Sequence, residues 1–521
     1  MPPGEHGQEA TPEAADGEGV EPPLPAGVLA HSTAHRPTAP ATCSSSLGAR
    51  RPFDGMPPAK RVRGDKAAVA CDGGGLDALP DAVLERVLGF LPAEDAVRTC
   101  VLASRWRHLW KSAKGLRVVA ADGGFLGNKG RLLDFVGHLL ILRERAPLDK
   151  CELELDTHCD LHFMGCVSAW FRHAVACKVR FLRLGIHCRL LTCAQAEWHQ
   201  LHDQTLVSQH LTRLELYGAG CGTSFLDFSS CPALEHLVFD CCDLSAEMIS
   251  CKSLKYLRIT NSSFNQDSRI HICTPNLVYL RLKKFSGKTP ILQSMPSLVE
   301  AFVEITKFCH DQCQALPPHF DNCGCEECQS SSDIGHGNYT SVILKGVSEA
   351  KNLTLISLPR MFIFRMDLRC CPTFSKLKTL VLKGYWCVDD DFYKLLEHSP
   401  VLEKLTLLFS EGPKYKVEME GSINETEKSA AISEHLRTVE IKCEEIDHWV
   451  LKVIWFLRIS NIFVSGSRSD LPSHYINTSL QIVAFDLRPE EIQAAVDHCL
   501  SPSRNGRLKL VLTMLPSFVH G

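Results

Sequence analysis

Two hydrophobic textures divide the chain. From residue 79 to 112, in LPDAVLERVLGFLPAEDAVRTCVLASRWRHLWKS, apolar residues recur at helical spacing, whereas beyond about residue 150 they alternate in a repeated phrase. In the first stretch Pro80 suits an opening helical position, Val83, Leu84, Val87, Leu88 and Leu91 recur one and four apart, and Pro92 ends the run. A second helix is expected next. Glu94 and Asp95 sit in its first turn, where acids favour the helix dipole, ahead of Val97, Cys100 and Val101. A third carries Trp106, Leu109 and Trp110 on one face and Arg105, Arg107 and Lys111 on the other. So short a unit cannot enclose this much Leu, Val and Trp alone, so part of its apolar surface must face another chain or the domain that follows. The plainer alternative is a helical cap on the end of a repeat array.

The second texture has the form L-x-x-L-x-L. It reads Leu211, Leu214 and Leu216; Leu234, Leu237 and Phe239; Leu254, Leu257 and Ile259; Leu277, Leu280 and Leu282. It returns at Leu353, Leu377 and Leu402, and in degenerate form at Leu436, Val439 and Ile441. Copies recur at roughly 20 to 25 residues, the leucine-rich-repeat period. Each phrase is expected to be a short strand whose alternate residues point into a core that only neighbouring copies complete, and residues such as Cys242 and Asn261 follow the strand to serve the turn. Residues 131–145 and 166–176 read as helices before the strand-like CELEL and VRFLRL. LQIVAFDL, PEEIQAAVDHCL and LKLVLTML read as a closing strand, helix and strand. The fold class expected is therefore α/β: a leucine-rich-repeat solenoid preceded by a small three-helix unit and a disordered N-terminal tail.

Composition sharpens the two ends. Hydrophobic content is 45%, charged content 22% and formal net charge -4 over 521 residues, so most of the chain can form a core and no global basic surface points to nucleic acid. No apolar run approaches the ~18 residues that mark a membrane span. The first residues are acidic and rich in Pro and Gly, unlike a signal peptide, so the expected location is the nucleus and/or the cytoplasm. On that reading the 25 cysteines are mostly free, buried thiols, and the sequons are coincidence. Residues 1–73 lack aliphatic periodicity and read as a disordered tail holding a basic run, Lys60, Arg61 and Arg63, that suits a nuclear-import signal.

No common phosphate-cradle, zinc-protease or hydrolase signature occurs, and GAGCGTS at 218–224 reads as a turn in a repeat loop. No catalytic residues and no cofactor are assigned. FCHDQCQALPPHFDNCGCEECQ, residues 308–329, gathers Cys309, His310, Cys313, His319, Cys323, Cys325 and Cys328. A tetrahedral zinc site is one reading of it. Its order of ligands matches no common finger and the repeats supply the core without it, so an ordinary loop of free cysteines, with no metal, is the expectation.

The helical stretch also carries a family resemblance. L-P-D, F-L-P, A-V-x-T-C-V-L and R-W-R-x-L-W follow one another in Leu79–Trp110, which resembles the F-box of the plant F-box/leucine-rich-repeat proteins. APLDKCELEL, the repeat phrases, the cysteine-bearing insertion and LRTVEIKCEEIDHWVLKVIWFL, similar to the region called FBD, follow in matching order. The resemblance implies a non-catalytic substrate-recognition subunit of an SCF-type ubiquitin ligase: an F-box docks a Skp-type adaptor, and through it a cullin, while the repeats bind a target protein. Carried over by position, the adaptor-binding residues are Leu79, Pro80, Leu84, Leu88, Val97, Val101, Trp106, Leu109 and Trp110. One departure is Ala103-Ser104, where many relatives have Ser followed by Arg. Expected boundaries are a tail at 1–73, an F-box at 74–115 and a repeat solenoid at 116–470. Within the solenoid lie the Cys-rich insertion at about 305–340 and the FBD-like region at about 433–470, and a cap at 471–521 closes the chain. Neither nucleic acid nor membrane is expected as a partner, and the alternative is a repeat scaffold uncoupled from any ligase.

Overall fold

The computed structural model describes residues 76–120, 129–157, 161–188, 199–201, 204–311, 341–357, 363–384, 390–409, 433–443, 481–483 and 509–514, all in the unit Gly73–Gly521. The expected tail with Lys60, Arg61 and Arg63, the Cys-rich insertion from residue 312 and the FBD-like stretch from residue 444 lie outside the described residues. So does most of the cap.

The architecture is mixed, a helical N-terminal region followed by a strand-rich one. Helices α1 (Asp81–Leu88), α2 (Ala93–Arg98) and α3 (Leu109–Ser112) form where the apolar spacing placed them, joined by 3-10 turns at Thr99–Val101 and Ser104–Arg107. The third expected helix is split, so that Trp106 lies in a 3-10 turn and Trp110 in α3, both buried. Strands β1 (Gly115–Ala120), β2 (Lys150–Thr157) and β3 (Phe181–Cys188) then alternate with α4 (Lys129–Arg143) and α5 (Leu161–Ala176). β1 begins the sheet ahead of α4, earlier than the sequence pattern suggested.

The repeat phrases supply β4 (Arg213–Tyr217), β5 (His236–Asp240), β6 (Tyr256–Thr260) and β7 (Tyr279–Lys283), and β8 (Glu300–Ile305) follows where no phrase was marked. They continue as β9 (Asn352–Ser357), β10 (Thr379–Gly384), β11 (Lys404–Leu408) and β12 (Thr438–Cys443), followed by β13 (Gln481–Val483) and β14 (Lys509–Met514). Among the described residues these make one 14-stranded sheet, paired in parallel and in chain order, except that β14 separates β12 from β13. Short helices α6 (Leu344–Val347), α7 (Ile363–Arg369) and α8 (Asp390–Glu397) lie between the later strands.

Register follows from the leucines. Leu214, Leu237, Leu257 and Leu280 stand beside one another in successive strands, as do Leu216, Phe239, Ile259 and Leu282, and all are fully buried. Burial of each is worth roughly 1.5 to 3 kcal/mol, and a slip by one residue would turn every one of them to the opposite face. A recurrent turn follows each of these strands. Gly218, Cys241, Asn261 and Lys284 come directly after β4 to β7, all with positive φ (70°, 52°, 49° and 51°). In this left-handed region Gly218 donates its N–H to Asp240 O, Cys241 to Thr260 O and Asn261 to Lys283 O, at 3.0–3.1 Å, so each turn is tied to the next strand. The turning residue is thus Cys241 rather than Cys242; the buried Cys242 thiol instead donates to Leu216 O at 3.3 Å. GAGCGTS is likewise only partly a turn: after Gly218, Ala219–Cys221 is a buried strand of a small four-stranded sheet.

Two buried carboxylates sit at either end of the Cys-rich insertion. Asp311, where the described chain breaks off, is held by Arg269 at 2.5 Å and by the Thr289 N–H at 2.8 Å. Asp367 accepts the N–H groups of Val342, Ile343 and Leu344 at 2.6–2.8 Å, where the chain returns. Burial would raise the Asp311 pKa, but Arg269 and Thr289 outweigh it and hold the group below the usual carboxylate range. A depressed folded pKa means that its contribution is present above the unfolded value and lost as pH falls through the folded one.

Substitution of Asp367 by Ala strands three buried amides, each costing about 1 to 3 kcal/mol, so denaturant unfolding should show a loss of at least about 3 kcal/mol. A second prediction concerns the thiols. Burial pushes Cys151, Cys242 and Cys309 up to about 12, whereas Cys370 is exposed. Native protein treated with an alkylating reagent at pH 8 and mapped by mass spectrometry should be labelled at Cys370 and spared at those three until it is unfolded. Early labelling of Cys151, Cys242 or Cys309 would contradict this placement.

Candidate functional site: the N-terminal helices

Helix α1 carries two apolar stripes. Leu84 and Leu88 are buried, and with Trp106, Leu109, Trp110 and the sheet residues Leu116 and Val118 they belong to one continuous core. Val83, Val87 and Phe90 form a second stripe, at 41%, 41% and 78% exposure. The turn after α2 adds Val101 and Leu102, at 77% and 66%.

Of the residues singled out from sequence, Leu84, Leu88, Trp106, Leu109 and Trp110 fill the chain's own core, Leu79 and Val97 are half-buried, and Pro80 and Val101 are exposed. The apolar side chains left facing outward are thus mostly a different set. Val83 and Val87 were visible in the helical spacing, but a helix apolar on two sides does not declare which side its own chain will cover.

Hydrogen bonds hold the helices in shape. The Arg105 guanidinium pairs with Asp81 at 2.6 Å and donates to Leu79 O at 2.5 Å, tying the 3-10 turn to the start of α1. Trp110 Nε1 donates to Arg107 O at 3.2 Å.

Two features fix these helices to the sheet. Gly89, after α1, lies against Gly115, the first residue of β1: a Cβ on Gly89 would meet Gly115 N at 2.6 Å, and one on Gly115 would meet Gly89 O at 2.2 Å. Both positions therefore require glycine. The second is Arg143, at the end of α4. Its guanidinium is buried and donates to Trp110 O at 2.6 Å, which also accepts the Ala113 N–H at 3.4 Å, and to Ala113 O at 2.7 Å, closing the end of α3. Burial lowers the Arg143 pKa, opposed by the neighbouring Cys177 and Cys151.

Among the described residues no group of three His, Cys, Asp or Glu side chains is arranged to hold a metal ion, and no helix is long and apolar enough to cross a membrane. The seven Cys and His residues of the cysteine cluster fall mostly outside the described residues; of them only Cys309 and His310 lie within.

Comparison with known proteins agrees with the two-part pattern. Residues 76–117 match the F-box domain family. The chain is 27% identical over 363 residues to an F-box/FBD/LRR-repeat protein of Arabidopsis thaliana, covering 63% of this chain and 76% of that one. It is 26% identical to F-box/LRR-repeat protein 13 of the same plant, covering 63% and 75%, and 25% identical to another F-box/FBD/LRR-repeat protein, covering 64% and 78%.

Replacing Arg143 with Met leaves the Ala113 carbonyl without its guanidinium donor and the Trp110 carbonyl with only the longer 3.4 Å bond from the Ala113 N–H, at about 1 to 3 kcal/mol for a stranded buried group. The expected outcome is faster limited proteolysis near Ser112–Gly115 with the sheet intact. Cleavage at the wild-type rate would show that the guanidinium does not fix the helices.

Proposed function

We infer, from an F-box domain joined to a parallel sheet whose chain resembles F-box/LRR-repeat proteins, that this protein is a non-catalytic substrate receptor of an SCF-type cullin ubiquitin ligase. The F-box, at about 74–115, docks a Skp-type adaptor that bridges to a cullin, and a leucine-rich-repeat solenoid at about 116–470 binds the target protein. The observation that carries the reading is the domain match at 76–117 coinciding with apolar side chains the chain does not cover. Pro80, Val83, Val87, Phe90, Val101 and Leu102 are the contacts this assigns to the adaptor. Leu84, Leu88, Trp106, Leu109 and Trp110 set their positions from the core beneath. The receptor contributes binding: it raises the local concentration of target near a ubiquitin thioester, and the chemistry belongs to its partners.

The relatives' names supply the repeat and FBD terms, and the chain-ordered sheet supports the solenoid. The insertion at about 305–340 and the FBD-like region at about 433–470 belong to that body, with a cap at 471–521. Lys60, Arg61 and Arg63 are assigned to nuclear import. Their replacement by Ala should shift a tagged protein towards the cytoplasm, and an unchanged distribution would remove that assignment.

The adaptor reading is tested on exposed positions, which leave the core alone. Apolar anchors at interface centres often cost about 2 kcal/mol or more when lost, so Val87→Glu with Val101→Glu should weaken adaptor binding by roughly a hundredfold or more without moving the thermal midpoint. Leu84→Ala with Leu88→Ala should instead loosen the F-box itself. Undiminished adaptor capture by the folded glutamate variant would sink the assignment. Capture by wild type with no dependent ubiquitination of bound proteins would favour a scaffold uncoupled from a ligase.

A further inference from the structure

Strands β6 and β7 share a phrase, Tyr-Leu-Arg followed by Ile or Leu. The leucines face the core, so the register sets Tyr256 beside Tyr279 and Arg258 beside Arg281 on the opposite face. The two tyrosine rings stack in parallel, 4.6 Å apart with an interplanar angle of 2°, and His236 extends the row at 5.5 Å. The Arg281 guanidinium lies over the Phe302 ring at 4.4 Å.

Neighbouring strands run ~4.8 Å apart, so two like charges stand directly opposite one another, an arrangement that is destabilising by itself. Little on the protein compensates it. Arg258 reaches Asp240 only at 3.8 Å, and Asp240 already accepts from Asn261 Nδ2 at 2.9 Å. The Arg258 Nε is buried without a hydrogen-bond partner, and no ion pair reaches Arg281 among the described residues. The surrounding charges are matched elsewhere, Arg213 by Glu215 at 2.5 Å and Lys283 by Glu304 at 3.7 Å. Two guanidinium groups against the one carboxylate that Arg258 reaches leave about one positive charge uncompensated. Beside it an open depression of about 590 Å³ runs along the face to Arg258, where the rings of Phe181, Tyr217 and Tyr256 stand among the charged Arg183, Arg213 and Glu215.

We propose that Arg258 and Arg281 form an anion site that anchors an Asp or Glu side chain of an extended segment in a target protein, with the side chains that follow it lying over the aromatic rings of the depression. This names the partner chemistry of the target-binding reading above and rests on it. An extended peptide advances about 3.3 Å per residue, so residues two and four positions from the anchored acid fall over β5 and β4, where the depression lies. A carboxylate supplies the single negative charge that is missing, whereas a phosphate ester brings roughly −1.5 to −2. Arginine holds a carboxylate through two parallel hydrogen bonds, and the adjacent tyrosine hydroxyls are further donors.

The test uses the full chain and three fluorescein-labelled peptides carrying one glutamate, one glutamine or one phosphoserine with leucines two and four positions away, measured by anisotropy at low and high salt. Wild type should bind the glutamate peptide at least tenfold more tightly than the glutamine one, and the preference should shrink with salt. Arg258→Gln with Arg281→Gln should abolish that preference while leaving the thermal midpoint unchanged or raised, because the like-charge contact is gone. Equal binding of the glutamate and glutamine peptides would overturn the proposal, as would a preference that survives both substitutions, or binding of the phosphoserine peptide alone. Adaptor capture is measured on the same proteins. A glutamate preference in a protein that fails to capture the adaptor would support this site and sink the F-box reading, which keeps the two separable.

Discussion

Register is the constraint on which the rest of this structure depends. No strand of the sheet covers its own leucines; each inward row is complete only when the neighbouring strand presents its leucines at the same height, as Leu214, Leu237, Leu257 and Leu280 do. The recurrent left-handed residue helps to hold it, because after β4, β5 and β6 its N–H bonds to the end of the next strand. That turn tolerates Gly, Cys, Asn and Lys alike, although a non-glycine residue there is strained. The inward rows are worth more than the strain, so one backbone path survives different turn residues.

The N-terminal helices inherit this order through their attachment. β1 is both the first strand and the strand against which α2 packs, and the Gly89–Gly115 contact at the end of α1 lets backbone meet backbone where any side chain would intervene. Arg143 adds a hydrogen-bonded link from α4 to the end of α3. A partner gripping the exposed stripe of α1 is thereby connected to the sheet through buried contacts. In the receptor role proposed above this would matter, since proximity serves transfer only if a held target and partner-bound helices keep a defined separation.

Much of this was legible in the sequence, and what was not has identifiable causes. The L-x-x-L-x-L phrases located β4 to β7 and β9 to β12 because inward burial imposes a period of two on each strand. The amphipathic runs likewise located α4 and α5. The outward face of α1 was ambiguous, since Val83 and Leu84 are equally apolar in the pattern and only the packing of α3 against α1 decides which is covered. The turn residue was misplaced by one position because Cys241 and Cys242 are identical in composition and differ only in φ. The Arg258–Arg281 pair was invisible, since Tyr and Arg occupy the variable positions of the phrase and become neighbours only once the loops have fixed the register.

The two faces of the sheet are therefore under unequal control. Each inward leucine contributes roughly 1.5 to 3 kcal/mol, whereas an unfavourable cross-strand pair costs about 0.2 to 1 kcal/mol. With two or more inward residues per strand, the core side outweighs anything a single outward row can impose. The outward face can then hold arrangements that would not persist in an isolated hairpin, such as adjacent arginines or a stack of aromatic rings, without altering the backbone. Recognition chemistry can accumulate there at small cost to folding, and it can change from strand to strand while the inward rows stay the same.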